Sequence, residues 1–138
     1  MSGCKFFASM FAAALALALA AWGQNRNYHQ DMRWQAPPNA VARPNPLAGN
    51  ASASIVAGGK KLFRRSCAEC HGADGTGINR AANLQSVDVQ VQTDGILFWK
   101  ITNGNLDRGM PAFSGLPELE RWQLVLYLHK LGGSNGPP

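Results

Sequence analysis

The 138-residue sequence contains few soft metal ligands, with only three cysteines and three histidines. Cys4 precedes an apolar run at the amino terminus, whereas Cys67 and Cys70 lie together in one short motif. If Cys4 is removed with an export signal, no disulfide is available to link distant parts of the mature chain. A four-ligand zinc site is also disfavoured, because only His29 and His129 remain as further soft ligands outside the motif, and neither has zinc-finger spacing.

The sequence also lacks any nucleic-acid-binding motif, and its basic residues are mostly scattered although the net charge is +5. We therefore predict no nucleic-acid partner. The exceptions are Lys60-Lys61 and Arg64-Arg65, which favour the solvated face of a helix; docking to an acidic partner is the alternative. No alternating strand and helix pattern surrounds the cysteines, as a thioredoxin-like redox disulfide would require.

Residues 1–23 predict an export signal peptide. Lys5 supplies the positive start, residues 6–21 form an apolar run, and Ala18-Leu19-Ala20 offers a cleavage site with small residues. The apolar stretch 6–22 is barely long enough to span a bilayer, so an uncleaved membrane anchor is the alternative. We expect a periplasmic or exported protein, with a membrane tether as the second choice.

Residues 24–50 are rich in proline and asparagine and predict an extended linker or a surface wrap. Pro37, Pro38, Pro44 and Pro46 are closely spaced, and proline both removes donors and blocks helices. The low complexity of the stretch favours disorder. We expect one folded domain over residues 51–133 and a flexible tail over residues 134–138.

The motif Cys67-Ala68-Glu69-Cys70-His71 is typical of covalent attachment of c-type haem. Each cysteine sulfur can add across one haem vinyl group, and the histidine that follows can bind the iron as the proximal ligand. The motif occurs once in the chain. The sequence therefore predicts one covalent haem c, held by Cys67, Cys70 and His71.

Three helices are predicted around this motif. The first begins after Ser52 or Ser54 and runs to about Arg65, the second is capped by Thr93 and runs from Asp94 to about Thr102, and the third follows Leu116-Pro117-Glu118 and stops at Gly132-Gly133. Apolar residues recur at near-helical spacing in the first of them. Trp99 is equally compatible with a core aromatic and with a donor to a haem propionate.

Met110 is the predicted second axial ligand of the iron. Met1 and Met10 leave with the signal, and Met32 lies in the linker, so Met110 in Arg108-Gly109-Met110-Pro111 is the remaining thioether. A thioether ligand favours ferrous iron and raises the reduction potential. The alternative is a methionine that fills core space. His129 is the rival ligand, but we expect it to be exposed on the last helix.

The combined pattern resembles the class I cytochromes c over about residues 52–132. The motifs that carry the resemblance are Gly59-xxx-Phe63, Cys67-xx-Cys70-His71, Met110-Pro111 and Leu124-xx-Tyr127. The resemblance implies a small all-α fold in which crossed first and last helices enclose one covalent haem. It also implies His71 and Met110 as axial ligands, and one-electron transfer between redox partner proteins such as a reductase or dehydrogenase and an oxidase.

One departure concerns the support of His71. Members of this family usually place a proline before Asn-Leu, and its carbonyl holds the proximal histidine; here the sequence is Ala82-Asn83-Leu84. We expect Ala82 to offer the carbonyl with less rigidity. Gln30-Asp31-Met32 is faintly similar to the leader of cytochrome subunits from quinol-oxidising complexes. The predicted function is an electron carrier rather than an enzyme, with a subunit of a membrane respiratory complex, or a haem peroxidase or gas-binding protein, as alternatives.

Overall fold

A computed structural model describes residues 34–133 of the chain. Its contacts divide the chain into two units, Met1–Gln35 and Ala36–Pro138, and the helices below belong to the second unit. The predicted export signal or anchor and the predicted tail lie outside the described residues, as does the linker up to residue 33. Within residues 34–133, no helix combines the length and the apolar character needed to cross a bilayer.

The described residues form helices and no β-strand, which confirms the predicted all-α class. One isolated antiparallel bridge joins Asn105 to Met110. Two short 3-10 turns accompany the α-helices, at Ala48–Asn50 and Leu106–Arg108. The α-helices are α1 Pro38–Val41, α2 Ala53–Ser66, α3 Ala68–His71, α4 Val87–Gln90, α5 Asp94–Asn103 and α6 Glu118–Leu131.

Helices α2 and α6 cross at Gly59, as the sequence predicts. A Cβ atom at Gly59 would overlap the backbone carbonyl oxygen of Gln123 and would lie 3.0 Å from the Cβ of Tyr127. The rings of Phe63 and Tyr127 meet beside this point, with centroids 5.3 Å apart and planes tilted by 55°. The two backbones therefore approach each other as closely as glycine allows, and the aromatic pair fills the adjoining space.

Helix α5 completes the core. Thr93 caps it as predicted, because its hydroxyl oxygen accepts a hydrogen bond from the backbone N–H of Ile96 at 3.3 Å. The Phe98 ring stacks on Trp122 of α6, with centroids 3.9 Å apart. Trp99 is half-buried and lies outside the buried cluster. That cluster consists of Leu62, Phe63, Leu97, Phe98, Ile101, Trp122, Leu124, Val125, Tyr127 and Leu128.

Residues 36–50, named the strap below, pack on α5 and thus form the surface wrap that we predicted as one of two possibilities, rather than the extended linker. The Thr93 hydroxyl donates a hydrogen bond to the carbonyl oxygen of Val41 at 2.9 Å. A Cβ atom at Gly95 would overlap the carbonyl oxygen of Ala40, so the strap backbone lies directly on the helix. The compact unit accordingly begins at Ala36 rather than at residue 51. The prolines contribute to this structure, because Pro38 occupies the first turn of α1, where its missing N–H is harmless.

Arg43 joins the strap to the aromatic core. Its guanidinium carbon lies 4.6 Å from the centroid of the Phe98 ring and 5.3 Å from that of the Trp122 ring. Its Nη2 atom also pairs with the carboxylate of Glu118 at the start of α6. A guanidinium plane suits both contacts, since it stacks on aromatic faces while its edge donates to a carboxylate.

Candidate haem-binding site

The motif from Cys67 to His71 forms a single helical turn. The backbone N–H groups of Cys70 and His71 both donate to the carbonyl oxygen of Cys67, at 3.2 and 2.9 Å. Residues three and four positions apart share one face of a helix, so the two thiols and the imidazole lie on the same side of this turn. Both cysteines are free thiols; Cys67 is half-buried and Cys70 is exposed.

The Cys67 thiol is protonated at neutral pH. Burial, and to a smaller extent the interaction with the neighbouring Cys70, raise its pKa to about 11. The thiolate is the form that attacks disulfides, so this thiol is a poor nucleophile for disulfide exchange at neutral pH.

His71 is oriented by the carbonyl of Ala82. The Nδ1 atom of His71 lies 3.0 Å from that carbonyl oxygen, which can only accept a hydrogen bond. Nδ1 therefore carries the proton, and the lone pair of the neutral ring is on Nε2, the arrangement of a metal-ligating histidine. The expectation that Ala82 supplies the carbonyl is confirmed.

The loop after the motif brings Ala82 to His71. The backbone N–H of Gly77 donates to the carbonyl oxygen of His71 at 2.7 Å, and the backbone N–H of Ile78 donates to the carbonyl oxygen of Cys70 at 3.0 Å. Gly77 has a φ of +87°, and a Cβ atom there would overlap the carbonyl oxygen of Ala81 and lie 3.1 Å from the carbonyl carbon of Ala82. Glycine at position 77 therefore allows the carbonyl oxygen of Ala82 to approach the His71 ring.

Hydrogen bonds hold the segment in which Ala82 stands in place of the proline. The N–H of Leu84 donates to the carbonyl oxygen of Gly75 at 2.7 Å. The side-chain amide of Gln90 donates to the carbonyl oxygen of Leu84 at 2.6 Å and to that of Leu128, in α6, at 3.0 Å. Gln90 thus ties the segment that supports His71 to the closing helix.

Met110 lies in a short hairpin-like loop. The N–H of Asn105 donates to the Met110 carbonyl oxygen at 2.8 Å, and the N–H of Met110 donates to the Asn105 carbonyl oxygen at 2.9 Å. The 3-10 turn Leu106–Arg108 and Gly109, with a φ of +81°, close the loop between them. Met110 is half-buried and is not a member of the buried core, so the structure does not support a core-filling role.

The residues around this loop attach it to α5. A Cβ atom at Gly104 would lie 2.5 Å from the carbonyl carbon of Pro111, so the chain on either side of Met110 is in close contact. The N–H of Phe113 donates to the carbonyl oxygen of Ile101 at 3.0 Å. Met110 therefore belongs to an ordered loop with several backbone hydrogen bonds, as a weak thioether ligand requires.

His129 is not exposed, contrary to our expectation. Its side chain is 13% accessible, and its Nε2 atom lies 2.9 Å from Oδ1 of Asp94, where α6 packs against the start of α5. The hydrogen bond from His129 lowers the pKa of Asp94; burial opposes this shift, and the side chain of Asn45 reinforces it. The rival ligand thus has a structural partner of its own.

The basic residues of α2 form one exposed face. Lys60, Lys61, Arg64 and Arg65 line a shallow groove together with Ala57. This position agrees with the solvated helix face that we favoured. Docking of an acidic partner there stays a prediction.

Sequence reasoning missed three residues of the site. Gly77 was not singled out, because its role depends on backbone that follows it in the loop. Gln90 donates a hydrogen bond to the carbonyl oxygen of Leu128, which is too far away in sequence for a local pattern to indicate. Asn105 was not singled out, and its pairing with Met110 follows from the loop geometry.

The residues present fit a covalently attached haem. Two free thiols and an imidazole share one face, and the carbonyl of Ala82 leaves the His71 Nε2 atom available to a metal. Cys67 and Cys70 would hold the group covalently, and His71 would bind its iron, with Met110 as the second ligand. The helical fold and the attachment motif are those of a class I c-type cytochrome domain.

Comparison with known families agrees with this class. The family model described as cytochrome c oxidase, cbb3-type, subunit III matches residues 55–128, which extend from α2 through the attachment motif and the Met110 loop into α6. The chain belongs to this family of c-type cytochrome domains. Membership implies covalent haem c with iron, and electron transfer with redox partner proteins. No curated protein and no solved structure matched the chain.

Proposed function

We propose that this protein is an exported monohaem cytochrome that carries single electrons between a reductase or dehydrogenase and an oxidase. The observation that carries the proposal is the hydrogen bond from His71 Nδ1 to the Ala82 carbonyl, which orients Nε2 as an iron ligand. The single attachment motif in the sequence supports one haem.

Each site residue has a separate role in this proposal. Cys67 and Cys70 would hold the haem through two thioether bonds, and His71 and Met110 would bind its iron. When bound, the haem would supply a reversible one-electron change of its iron. As a second iron ligand, Met110 would favour the ferrous state and would keep small molecules away from the metal. A metal closed in this way would carry electrons rather than react with peroxide or gases.

Expression of the full chain with haem-maturation machinery tests the proposal. We expect a covalent haem stain on a denaturing gel, and no reaction of the reduced protein with CO. A weak charge-transfer band at the red end of the oxidised spectrum should vanish in Met110→Ala. It should persist in Met32→Ala, the matched control that removes the other methionine of the predicted mature chain.

The outcomes separate the proposed carrier from its alternatives. Rapid binding of CO or peroxide by the parent protein would favour a haem enzyme or a gas-binding protein over a carrier. Absence of covalent haem after maturation would contradict both haem functions and would favour a haem-free thiol module.

A second candidate is a subunit of a larger membrane respiratory complex. Two observations favour it, namely the family description as an oxidase subunit and the apolar stretch 6–22, which is barely long enough for a bilayer. Alkaline extraction of membranes from the native host, followed by mass determination of the purified protein, distinguishes the two candidates. A free carrier is released with its first 20 or so residues removed. A tethered subunit stays in the membrane at full mass and copurifies with other chains.

A further inference from the structure

Gln90 joins two parts of the chain that are far apart in sequence. It is the last residue of α4, and its side-chain amide donates to the carbonyl oxygen of Leu84 at 2.6 Å and to the carbonyl oxygen of Leu128 at 3.0 Å. An amide nitrogen carries two N–H groups, so this one nitrogen can satisfy both carbonyls. The contacts are partly buried, and loss of the donor would leave two carbonyl oxygens without it.

The last turn of α6 encloses the side chain of Gln90. A Cβ atom at Gly132, the residue after the helix, would overlap Cδ of Gln90. Leu131 reaches the loop that follows the attachment motif, because a Cβ atom at Gly75 would lie 2.8 Å from Cδ1 of Leu131 and 3.6 Å from Cβ of Leu84. The end of α6 therefore contacts this loop through an apolar side chain as well as through the glutamine.

The segment that Gln90 holds carries the carbonyl of Ala82. Leu84 follows Ala82 by two residues and is fixed at both of its backbone polar groups, since its N–H donates to the Gly75 carbonyl oxygen at 2.7 Å and its carbonyl accepts from Gln90. Within residues 34–133, the N–H of Ala82 donates no hydrogen bond, and alanine lacks the ring that fixes φ in proline. The position of the Ala82 carbonyl therefore relies on the bonds of Leu84.

We propose that Gln90 is a positioning residue for the proximal ligand, His71. By fixing Leu84, it keeps the Ala82 carbonyl where the His71 ring can donate to it. The inference rests on the proposed role of His71 as an iron ligand. The hydrogen bond from Nδ1 makes the imidazole more basic, and a more basic ligand stabilises ferric iron more than ferrous iron. Gln90 therefore lowers the reduction potential and makes the last turn of α6 part of the support of His71.

The first test compares haem-loaded, full-length Gln90→Met with Gln92→Met. Methionine is as long and as flexible as glutamine but has no donor. Gln92 is the matched control, because it is also half-buried but its amide donates locally, to the Asp88 carbonyl oxygen at 2.8 Å. Exchange of the His71 Nδ1 proton with solvent, followed by NMR in the reduced protein, should become roughly 5-fold to 30-fold faster in Gln90→Met. It should stay at the parent rate in Gln92→Met.

The reduction potential is a second measurement, one that a change in stability alone would not move. We expect the ratio of ferric to ferrous protein at a fixed applied potential to fall about twofold to fivefold in Gln90→Met, because the His71 ring becomes a weaker base. Gln92→Met should keep the parent ratio. Lower thermal stability of Gln90→Met with the parent exchange rate and the parent ratio would assign a purely structural role to Gln90 and would overturn the proposal.

Ala82→Pro tests the route through which Gln90 acts. Proline fixes φ, so it should hold the carbonyl with less help from Leu84. In the Ala82→Pro background, Gln90→Met should therefore change the exchange rate of the His71 proton by less than about twofold. Equal effects of Gln90→Met in the two backgrounds would contradict this route.

A more conservative variant addresses a folding failure of Gln90→Met. Gln90→Asn keeps the amide on a shorter side chain, which cannot hold both carbonyls at their present distances. The proposal expects the His71 proton to exchange faster in this variant than in the parent. A folded Gln90→Asn protein with the parent exchange rate would overturn it.

The outcomes distinguish this inference from the proposed function. If no covalent haem forms, or if a residue other than His71 is the proximal ligand, the proposed function fails and the inference fails with it. If the haem is attached and His71 binds its iron, but the Gln90 variants keep the parent exchange rate and potential, only the inference is overturned.

Discussion

The Nδ1 atom of His71 and the carbonyl oxygen of Ala82 lie 3.0 Å apart, and this hydrogen bond determines how the imidazole faces the haem site. His71 is the last residue of α3 and Ala82 lies in the loop that follows, and Gly77 in that loop allows them to meet. Because the carbonyl accepts only, the bond also selects the tautomer that leaves Nε2 free for iron. The support that a proline usually gives in this family is supplied here by an alanine and by the hydrogen bonds around it.

Replacement of Gly77 by alanine should disturb this support. The φ of +87° and the overlap with the Ala81 carbonyl oxygen both oppose a Cβ atom at this position. We expect Gly77→Ala to lower the free energy of unfolding of the haem-loaded protein by about 2–4 kcal/mol in urea titrations. Gly133→Ala is the matched control, because Gly133 has a φ of +88° with nothing within 4 Å of its Cβ position. Equal losses of unfolding free energy in both variants would mean that backbone strain alone is responsible and that the overlap with the Ala81 carbonyl oxygen contributes nothing.

The crossing of α2 and α6 should be far more sensitive at Gly59 than at Gly58. A Cβ atom at Gly59 would overlap the backbone carbonyl oxygen of Gln123, whereas at Gly58 it would lie 2.8 Å from the flexible amide end of the same residue. We expect Gly59→Ala to cost about 3 kcal/mol of unfolding free energy or to prevent folding. Gly58→Ala should change it by less than about 1 kcal/mol, because the gain in helix propensity offsets a small side-chain movement. Similar values for the two would contradict the observed packing.

The strap should contribute measurable stability through Arg43. Its guanidinium stacks near Phe98 and Trp122 and pairs with Glu118. We expect Arg43→Ala to lower the unfolding free energy by about 1–2 kcal/mol. Arg43→Lys should recover only part of this loss, since a lysine keeps the charge but not the planar stack.

A fragment starting at residue 51, which lacks the strap, should be less stable than one starting at Ala36. Equal stability of the two fragments would restore the linker hypothesis.

The contact between Asp94 and His129 should make stability depend on pH in the acid range. The His129 hydrogen bond lowers the pKa of Asp94 below its usual value of 3.8, in spite of burial. The carboxylate therefore stabilises the fold above that value, and the contribution is lost as the pH falls through the lower pKa of the folded state. We expect Asp94→Asn to be about 1 kcal/mol less stable than the parent at pH 6 and equal to it well below pH 3. Chemical denaturation across pH measures the difference.

A control for the Asp94 experiment is Asp107→Asn, since Asp107 is exposed in the 3-10 turn of the Met110 loop. This variant should follow the stability of the parent over the same pH range. A difference between parent and Asp94→Asn that stays constant down to pH 2 would contradict the linkage, because the parent carboxylate would then not be the source of the effect.

Features encoded over short distances were predictable. The Cys67 to His71 motif needs one helical turn. The predicted ends of α2, α5 and α6 agree with the structure within a few residues, and the predicted Thr93 cap of α5 is present. The close packing of α6 against α2 at Gly59, on the face that bears Leu124 and Tyr127, was predicted from the size of glycine together with the family resemblance, whereas the contact with the Gln123 carbonyl was not. Met110 was selected from the sequence by elimination, and its ligand role stays a prediction.

Features that depend on distant partners were not predictable. The prolines before residue 50 suggested an unfolded linker, but Ala40 lies against Gly95 and Arg43 against Phe98, contacts that span about half the chain. His129 was expected to be exposed on the last helix, but Asp94 reaches it through the packing of α5 on α6. Burial and pairing of this kind depend on the whole fold.

The sequence by itself determined the chemistry of this protein, because two thiols and an imidazole at fixed spacing within one helical turn carry the haem attachment. It also determined where α5 begins, since Thr93 caps that helix. Only the tertiary structure decided how that chemistry is held. The carbonyl offered to His71, the strap that covers Phe98 and Trp122, and the amide of Gln90 that reaches α6 all arise from contacts between segments far apart in sequence or from loop geometry. Such contacts exist only once apolar burial has brought the segments together.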